Sequence, residues 1–461
     1  MRVRCLGSNR YNPIALAMKI TFIRPSMNHK RAYDAMEPLV FSILAGLTPP
    51  DIEVVLYDER LESIPYDEPT DLVAITVETY TARSAYQTAA EFRRRGVRVV
   101  MGGYHATFMP EEVQSFCDSL VIGDAEGLWE QIISDVKKNN LKKIYRQENQ
   151  PSIADLKPDR KIFMGKRYAP ISLIQYGRGC RYACDFCSIH AMYGSQLRQR
   201  NVDEIVKEVK SARRKHIFFV DDNIFVDVQK AEELFKALIP LKIRWSCQVT
   251  IDITQYDHLL DLMKESGCIS VLIGFESLNK ENLKQMNKRW SLKQGPYSTT
   301  IQKFHNQGIM IYGTFVFGYD DDLIDSFDTA LDFAIQSNFL LANFNPLTPM
   351  PGTTLYERLK IEKRLITDRW WLDPNYRYGQ TIFHPRKMSA RELTENCFRA
   401  RNFYYSFSSI FRRLFQKKSN FHSFSKFNLF LVSNLISRKE IMNKQWASLG
   451  DHRPLEPLKG L

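Results

Sequence analysis

The sequence predicts an α/β protein in three parts: a doubly wound, parallel-sheet domain at 18–148, six further βα units at 171–360, and a mainly helical region at 361–461. Three observations carry this. Short apolar runs alternate with helical stretches through the first third of the chain. The alternation restarts after a polar, basic, Pro-containing linker at 149–170. Beyond residue 360 it gives way to Phe, Tyr, Arg and Lys at helical spacing. Continuous apolar strands separated by helices indicate a parallel sheet covered on both faces.

In the first part the strand signals are Ile20–Ile23, Ile52–Tyr57, Leu72–Val77, Val97–Met101 and Ser119–Ile122. Helical patterns cover Tyr33–Leu47, Ala82–Arg95, Pro110–Phe116 and Leu128–Lys138. This is a Rossmann-like pattern, and such sheets bind ligands at the carboxyl ends of their strands. Three of those ends read TVETYT (76–81), GGYHAT (102–107) and GDAEG (123–127). Gly there lets backbone approach a flat or phosphorylated ligand, and Thr hydroxyls suit a phosphate or amide tail. Taken singly, a Gly after a strand is also an ordinary turn.

The second part begins with the strand Ile171–Tyr176. Strands follow at His216–Val220, Ile243–Val249, Ile269–Phe275, Ile309–Phe317 and Leu340–Asn345. Helices lie between them at Val202–Arg214, Gln229–Leu238, Gln255–Ser266, Lys280–Asn287 and on to Gln307, and Leu323–Gln336. Six units fall short of the eight of a closed (β/α)8 barrel, whose catalytic groups sit after the strand carboxyl ends. Polar clusters fall at those ends here: Asp221-Asp222-Asn223, Glu276-Ser277, and Tyr319-Asp320-Asp321. Any one such string is also read as an Asx turn or helix cap.

After the first of these strands comes YGRGCRYACDFCSIHAMYG (176–194), with Cys180, Cys184 and Cys187 spaced C-x3-C-x2-C. Three thiolates this close can hold three irons of a cubane cluster. No fourth Cys is near, so one iron keeps an open coordination position. With His190 the trio also matches a structural Cys3His zinc site. A disulfide is disfavoured by the odd number.

The third part holds an aromatic loop at Trp370–Tyr378 and a capping signal at Ser389–Glu392. Phe403, Phe407, Ile410, Phe411 and Leu414 recur at helical spacing beside Arg412, Arg413, Lys417 and Lys418. Two readings fit this pattern. One is a helical cap packed on the barrel and shaping a wall for a large apolar substrate. The other is a helix lying peripherally on a membrane.

The whole chain carries a formal net charge of +12 over 461 residues. Such an excess favours nucleic acid, anionic lipid surfaces or acidic cofactors without choosing among them. The eight Cys include five scattered singly (Cys5, Cys117, Cys247, Cys268, Cys397), which suits a reducing cytoplasm. No run reaches the ~20 apolar residues of a transmembrane helix. Residues 1–17 have no continuous apolar core and read as a disordered extension before the strand at Lys19.

The cysteine spacing, with Phe186 before the last Cys, resembles the radical S-adenosylmethionine (radical SAM) signature, and the order of polar strand ends supports that resemblance over zinc. It implies a partial (β/α)6 barrel holding a 4Fe-4S cluster on Cys180, Cys184 and Cys187. S-adenosylmethionine would chelate the open iron and be cleaved to methionine and a 5′-deoxyadenosyl radical. Asp221, Asp222, Asn223, Glu276, Ser277, Gly313 and Phe186 are then its expected neighbours. Gly313–Gly318 resembles the family's adenine-side motif, although Tyr319 and acidic residues replace the usual Pro-Gly-Glu. Asn345 and PLTPMPGTTLYERL (346–359) resemble its sixth-strand ending.

GGYHATFMPEE (102–112) and GDAE (123–126) resemble the cobalamin-binding domain that precedes the barrel in one large class of these enzymes. That implies cobalamin contacts from Thr76, Thr79, Gly102, Gly103, His105, Gly123 and Glu126. The D-x-H-x-x-G motif for a His ligand to cobalt is absent, and His105 reads equally as a hydrogen-bonded loop residue. The implied activity is modification of an unactivated carbon on a small, lipid-like substrate, foremost C-methylation. Cobalamin-assisted cyclisation or ring rearrangement is the alternative. A cobalamin sensor or a zinc-stabilised module is the non-catalytic one. The implied partner is an electron donor such as flavodoxin or ferredoxin. No nucleic-acid partner is expected, since an RNA methylthiotransferase needs a second Cys-rich cluster.

Overall fold

The computed structural model describes residues 18–212, 214–416 and 424–458. The extension at 1–17, Arg213, Lys417 and Lys418, and the end of the tail at 459–461 lie outside the described residues.

The first domain contains β1 (Lys19–Arg24), α1 (Leu39–Leu47), β2 (Glu53–Asp58), β3 (Leu72–Thr76), α2 (Ala82–Arg94), β4 (Arg98–Gly102), α3 (Tyr104–Phe108), α4 (Pro110–Gln114), β5 (Ser119–Ile122), α5 (Trp129–Lys137) and β6 (Ile144–Arg146). Its strands form one parallel sheet in the order β2-β1-β3-β4-β5-β6. Chain direction across the sheet reverses beside β1, the doubly wound pattern. The interior strands are buried on both faces, as the unbroken apolar runs require.

Among the differences from the sequence reading, two in the first domain have clear local causes or sizes. The helix expected from Tyr33 begins only at Leu39, because Pro38 sits extended at its N-cap and a proline disfavours helical geometry in the residue before it. The strand β6 was not foreseen: it has three residues, and only Tyr145 is buried.

The second domain contains β7 (Ser172–Ile174), β8 (Gly177–Arg178), α6 (Ser188–Tyr193), β9 (Arg198–Gln199), α7 (Val202–Ser211), β10 (His216–Phe219), α8 (Val228–Leu238), β11 (Arg244–Gln248), α9 (Asp257–Glu265), β12 (Cys268–Glu276), α10 (Lys280–Gln285), α11 (Tyr297–Asn306), β13 (Met310–Phe317), α12 (Asp325–Gln336) and β14 (Leu341–Pro346). Six strands form a parallel sheet in consecutive order from β7 through β10 to β14. This is the six-unit, open barrel the sequence predicts. Along β13, Phe315 and Phe317 alternate into the helical layer, where Phe315 stacks on Phe275 and Phe344. Tyr312 and Thr314 take the opposite face. β8 and β9 form a separate antiparallel pair beside the cysteine loop.

The linker lies along the first domain. Asp159 N–H donates to the Ser42 carbonyl at 2.7 Å and Ala169 N–H to the Ala35 carbonyl at 2.8 Å. Phe163 and Tyr168 are buried in that domain's core. Arg160 reaches Glu37 at 3.1 Å and Glu208 of α7 at 2.6 Å, tying linker to barrel.

The third part adds α13 (Thr354–Ile361), α14 (Ala390–Tyr404), α15 (Phe407–Gln416) and α16 (Phe424–Lys444). The Ser389–Glu392 capping box forms as predicted. α14 covers β14, and fully buried Arg413 of α15 donates to the Phe339 and Leu340 carbonyls at 3.0 and 3.3 Å. The sheet edge at β14 is thereby covered rather than left open for pairing. The tail returns to the first domain, where Gln87 donates to the Arg453 carbonyl at 2.7 Å.

Candidate active site

The cysteine loop is held on every side by side chains from the strand ends. Buried Asp221 accepts Tyr176 N–H at 3.0 Å and also Gly177 N–H. Asp222 accepts Gly179 N–H, one residue before Cys180, at 2.9 Å. Beyond Cys180, Arg181 and Tyr182 both bind Asp252, and the Tyr182 ring stacks on Trp290 with centroids 3.8 Å apart. Just before Cys184, Asn287 donates to the Ala183 carbonyl at 2.8 Å, and between Cys184 and Cys187 Asp185 accepts from the Tyr319 hydroxyl at 2.6 Å. A loop pinned this way enters iron binding with its geometry set in advance, which limits the ordering cost.

Burial raises all three thiols, Cys184 to about 12 despite nearby Lys288. Ligation by metal displaces such protons. A single zinc ion, with Zn–S bonds of about 2.3 Å, draws its sulfurs close together. Among the described residues no three His, Cys, Asp or Glu side chains are so gathered. Three sulfurs on separate irons of a cubane sit wider apart than those around one zinc ion, and three thiolates in one loop suit that arrangement.

Facing the loop, Glu276 ends β12 at φ 63°, a left-handed conformation that costs a non-Gly residue of order 1–3 kcal/mol. Its carboxylate is 3.1 Å from Lys288 Nζ, which also donates to the Gly274 carbonyl at 2.7 Å. Lys288 is buried, and Glu276 and Cys184 hold its ammonium above the usual range against that burial. Glu276, already paired with Lys288, and Asp222 thus place two carboxylates beside the cysteine loop, where an ammonium group can be received.

Other expected neighbours of S-adenosylmethionine serve the framework. Asp221 is pushed up to about 7 by burial and is spent on two backbone N–H groups. Asn223 donates to Thr250 Oγ1 at 2.9 Å. Ser277 Oγ accepts Asn279 N–H at 3.1 Å. A Cβ at Gly313 would lie 2.6 Å from the Phe339 ring, so this glycine makes room for the helical layer. Phe186 packs partly buried against the barrel core.

A cavity of about 570 Å³ runs from the interior of the first domain to the cysteine loop. Its inner end is apolar, with Leu44, Ala74, Val100 and Trp129. Its middle is edged by Thr76, Thr79, Gly102, Gly103, Gly123 and Glu126. Its outer mouth belongs to the barrel, with Gln175, Ile189 and Met192. Gly103 adopts φ 108°, and a Cβ there would lie 3.0 Å from the Val77 carbonyl oxygen. An apolar recess, bare backbone edges and a second wall above them fit a large, flat, amide-bearing ring system such as a corrin.

His105 is not among the residues lining this cavity. It is fully buried, hydrogen-bonded to Thr79 at 3.2 Å and to Glu112 at 3.1 Å, with Trp371 edge-on at 5.0 Å. Glu112 also accepts from Tyr86 and Trp371, each at 2.8 Å. The expected cobalamin contact from His105 is thus replaced by a structural network behind the cavity wall.

Sequence reasoning missed the clamp between the domains. Arg178, just before the cysteines, lies 3.0 Å from Asp124 and 2.8 Å from Glu126 of the GDAE loop. Arg198 meets Asp124 at 2.7 Å, and the Tyr193 hydroxyl does so at 3.1 Å. The Tyr104 hydroxyl donates to the Pro351 carbonyl at 2.6 Å, and the Gly352 turn packs on Phe108, where any Cβ would fall within 2.0 Å. Basic residues beside a conspicuous acidic loop were the available signal, but pairing them needed the fold.

Residues 174–334 match the model of the Radical SAM superfamily. The bacteriochlorophyllide d C-12(1)-methyltransferase of Chlorobaculum tepidum is 31% identical over 415 residues, 87% of this chain and 89% of that protein. The bacteriochlorophyllide d C-8(2)-methyltransferase of the same organism is 30% identical over 356 residues, 72% of this chain and 78% of that protein. Among solved structures, the radical S-adenosylmethionine methyltransferase TsrM from Kitasatospora setae, with cobalamin and a [4Fe-4S] cluster bound, aligns with TM-score 0.62 at 15% identity over 83% of this chain and 82% of its own. The cobalamin-dependent radical enzyme OxsB, with aqua-cobalamin and S-adenosylmethionine bound, aligns with TM-score 0.65 at 14% identity over 92% and 72%. These structures share the α/β fold over most of the chain.

Proposed function

Because the chain belongs to the radical SAM superfamily, we propose that it is a cobalamin-dependent C-methyltransferase acting on a large, flat, apolar ring compound of the tetrapyrrole class. One observation carries the reading: a single cavity joins the strand ends of the Rossmann-like domain to the cysteine loop of the barrel. The relatives that act on bacteriochlorophyllide support the substrate class. When bound, the iron–sulfur cluster and S-adenosylmethionine supply one-electron cleavage of a sulfonium, and cobalamin supplies a transferable methyl group.

The chain's own residues hold and shield these groups. Cys180, Cys184 and Cys187 would hold three irons of the cluster, and Asp221 and Asp222 fix the loop through its backbone N–H groups. Glu276 receives the ammonium of S-adenosylmethionine. Thr76, Thr79 and Glu126 would offer polar contacts to cobalamin, and Leu44, Val100 and Trp129 an apolar wall. The Arg178 clamp keeps the two cofactor sites in register, since misplacement by about 1 Å can cost a hundredfold in rate. A flavodoxin or ferredoxin in the cytoplasm would supply electrons.

The test is anaerobic reconstitution with hydroxocobalamin, a low-potential reductant, a chlorophyllide and methyl-labelled S-adenosylmethionine. The proposal predicts label on a pigment carbon. Turnover to an altered pigment without label would instead show cyclisation or rearrangement.

A further inference from the structure

The C-terminal cap leaves one face unexplained by packing. Ile410, Arg413 and Leu414 of α15 are buried against the barrel, so the packing function of this helix is satisfied. Yet Phe403, Phe407 and Phe411 are 55%, 55% and 50% exposed, and Phe424 at the start of α16 is 80% exposed. Large aromatics set in solvent at four-residue spacing are costly in a soluble protein and mark an interaction surface.

The charge around them is one-sided. Between Glu395 and Glu440 the sequence has nine Arg and Lys, nine Phe, and no Asp or Glu. Arg401 and Arg413 are consumed inside the cap, and Arg399 is paired with Asp328 of α12 at 2.6 Å. Arg412 stands exposed beside Phe411. Beside Phe424 a recess of about 740 Å³ opens at the amino-terminal end of the barrel strands, lined by Lys215, Lys242, Arg244 and Lys426. An adjoining recess of about 430 Å³ shares Arg244 and Lys426 and adds Lys264. Among the described residues, no Asp or Glu lines either one. The opposite, carboxyl-terminal end of the strands carries the cysteine loop, so a partner seated here leaves the active site open.

We propose that this face docks the protein peripherally on an anionic lipid bilayer, with Phe403, Phe407, Phe411 and Phe424 entering the interface and the Lys-lined recess meeting lipid phosphates. Charge complementarity selects this occupant. Aromatic side chains beside a cationic surface suit the headgroup boundary of an anionic membrane, where apolar burial and electrostatic attraction add. A protein partner would have to supply a wholly acidic counter-surface, and a second copy of this chain would bring like charge against like.

The experiment is co-sedimentation of the full chain with phosphatidylcholine vesicles, with and without phosphatidylglycerol. Binding is predicted to anionic vesicles and to weaken on raising NaCl from about 0.05 to 0.5 M. The triple variant F403S/F407S/F411S should bind at least about tenfold more weakly. K215E/K242E should also lose binding, through the recess. Circular dichroism checks that both variants stay folded, as their exposed positions allow. Failure of the wild type to pellet with anionic vesicles overturns the proposal. So does equal binding to neutral and anionic vesicles. A concentration-dependent dimer abolished by the Phe substitutions, with no vesicle binding, would make the face a self-association surface and also overturn it. None of these readouts depends on methyl transfer.

Discussion

Replacing Arg178 by Met tests whether the two halves of the site are held by charge. The Arg178 guanidinium is 8% exposed and lies 3.0 Å from Asp124, 2.8 Å from Glu126 and 2.9 Å from Gln175 Oε1. Burial alone would lower its pKa, but Glu126 and Asp124 raise it instead. Asp124 is held below its usual value by Arg178 and Arg198 in spite of burial. In R178M, Asp124 keeps Arg198 at 2.7 Å, whereas Glu126 loses its ion-pair partner. Leaving a buried charge unpaired costs about 3–5 kcal/mol, and the surviving Arg198 contact places the loss near the lower figure. E126Q is milder, because Arg178 retains Asp124. A double-mutant cycle between R178M and E126Q should give about 1–3 kcal/mol of coupling. Urea unfolding measures the stabilities, and a hydroxocobalamin titration reads the cavity, where R178M should weaken binding. Stability unchanged within about 0.5 kcal/mol, with unaltered cobalamin affinity, would refute the clamp.

Three further predictions address single residues. His105→Ala should cost about 2–4 kcal/mol by leaving a buried void and taking one of three hydrogen bonds from Glu112, which keeps Tyr86 and Trp371, yet leave cobalamin affinity within about twofold; a large affinity loss with little destabilisation would restore His105 as a cofactor contact. Glu276→Gln keeps the shape but removes the charge, so S-adenosylmethionine binding should weaken at least about tenfold while iron content stays constant. His216 is pushed down to about 4 by burial and Arg244, against an unfolded value near 6.5. Its neutral form thus contributes stability in full above about pH 6.5, and this is lost as pH falls toward 4, by about 3 kcal/mol at most. His216→Gln should flatten that part of the stability profile.

Much of this architecture was readable because both sheets are parallel. Runs such as LVAIT at 72–76 and SLVI at 119–122 are buried on both faces and need no knowledge of their partners. The cysteine trio was legible for a local reason: its spacing lies within one loop. What stayed hidden depends on distant residues. Asp221 and Asn223 stand in the right motif, but only the fold shows their polar atoms spent on Tyr176, Gly177 and Thr250. His105 lies in a ligand-like loop, yet Glu112 and Trp371, the latter more than 260 residues away, turn it inward. The Arg178 clamp joins residues some 50 apart, and no local pattern encodes that pairing.

The central claim is that three sulfurs hold a cluster with one open iron, at which S-adenosylmethionine is cleaved. It is tested most directly by quantifying 5′-deoxyadenosine from anaerobically reconstituted protein given a low-potential reductant, alongside Cys180→Ala. The account predicts a brown protein that forms the nucleoside, and a variant that forms none above background. A Cys180→Ala protein working at the native rate, or a colourless native protein carrying stoichiometric zinc, would contradict it.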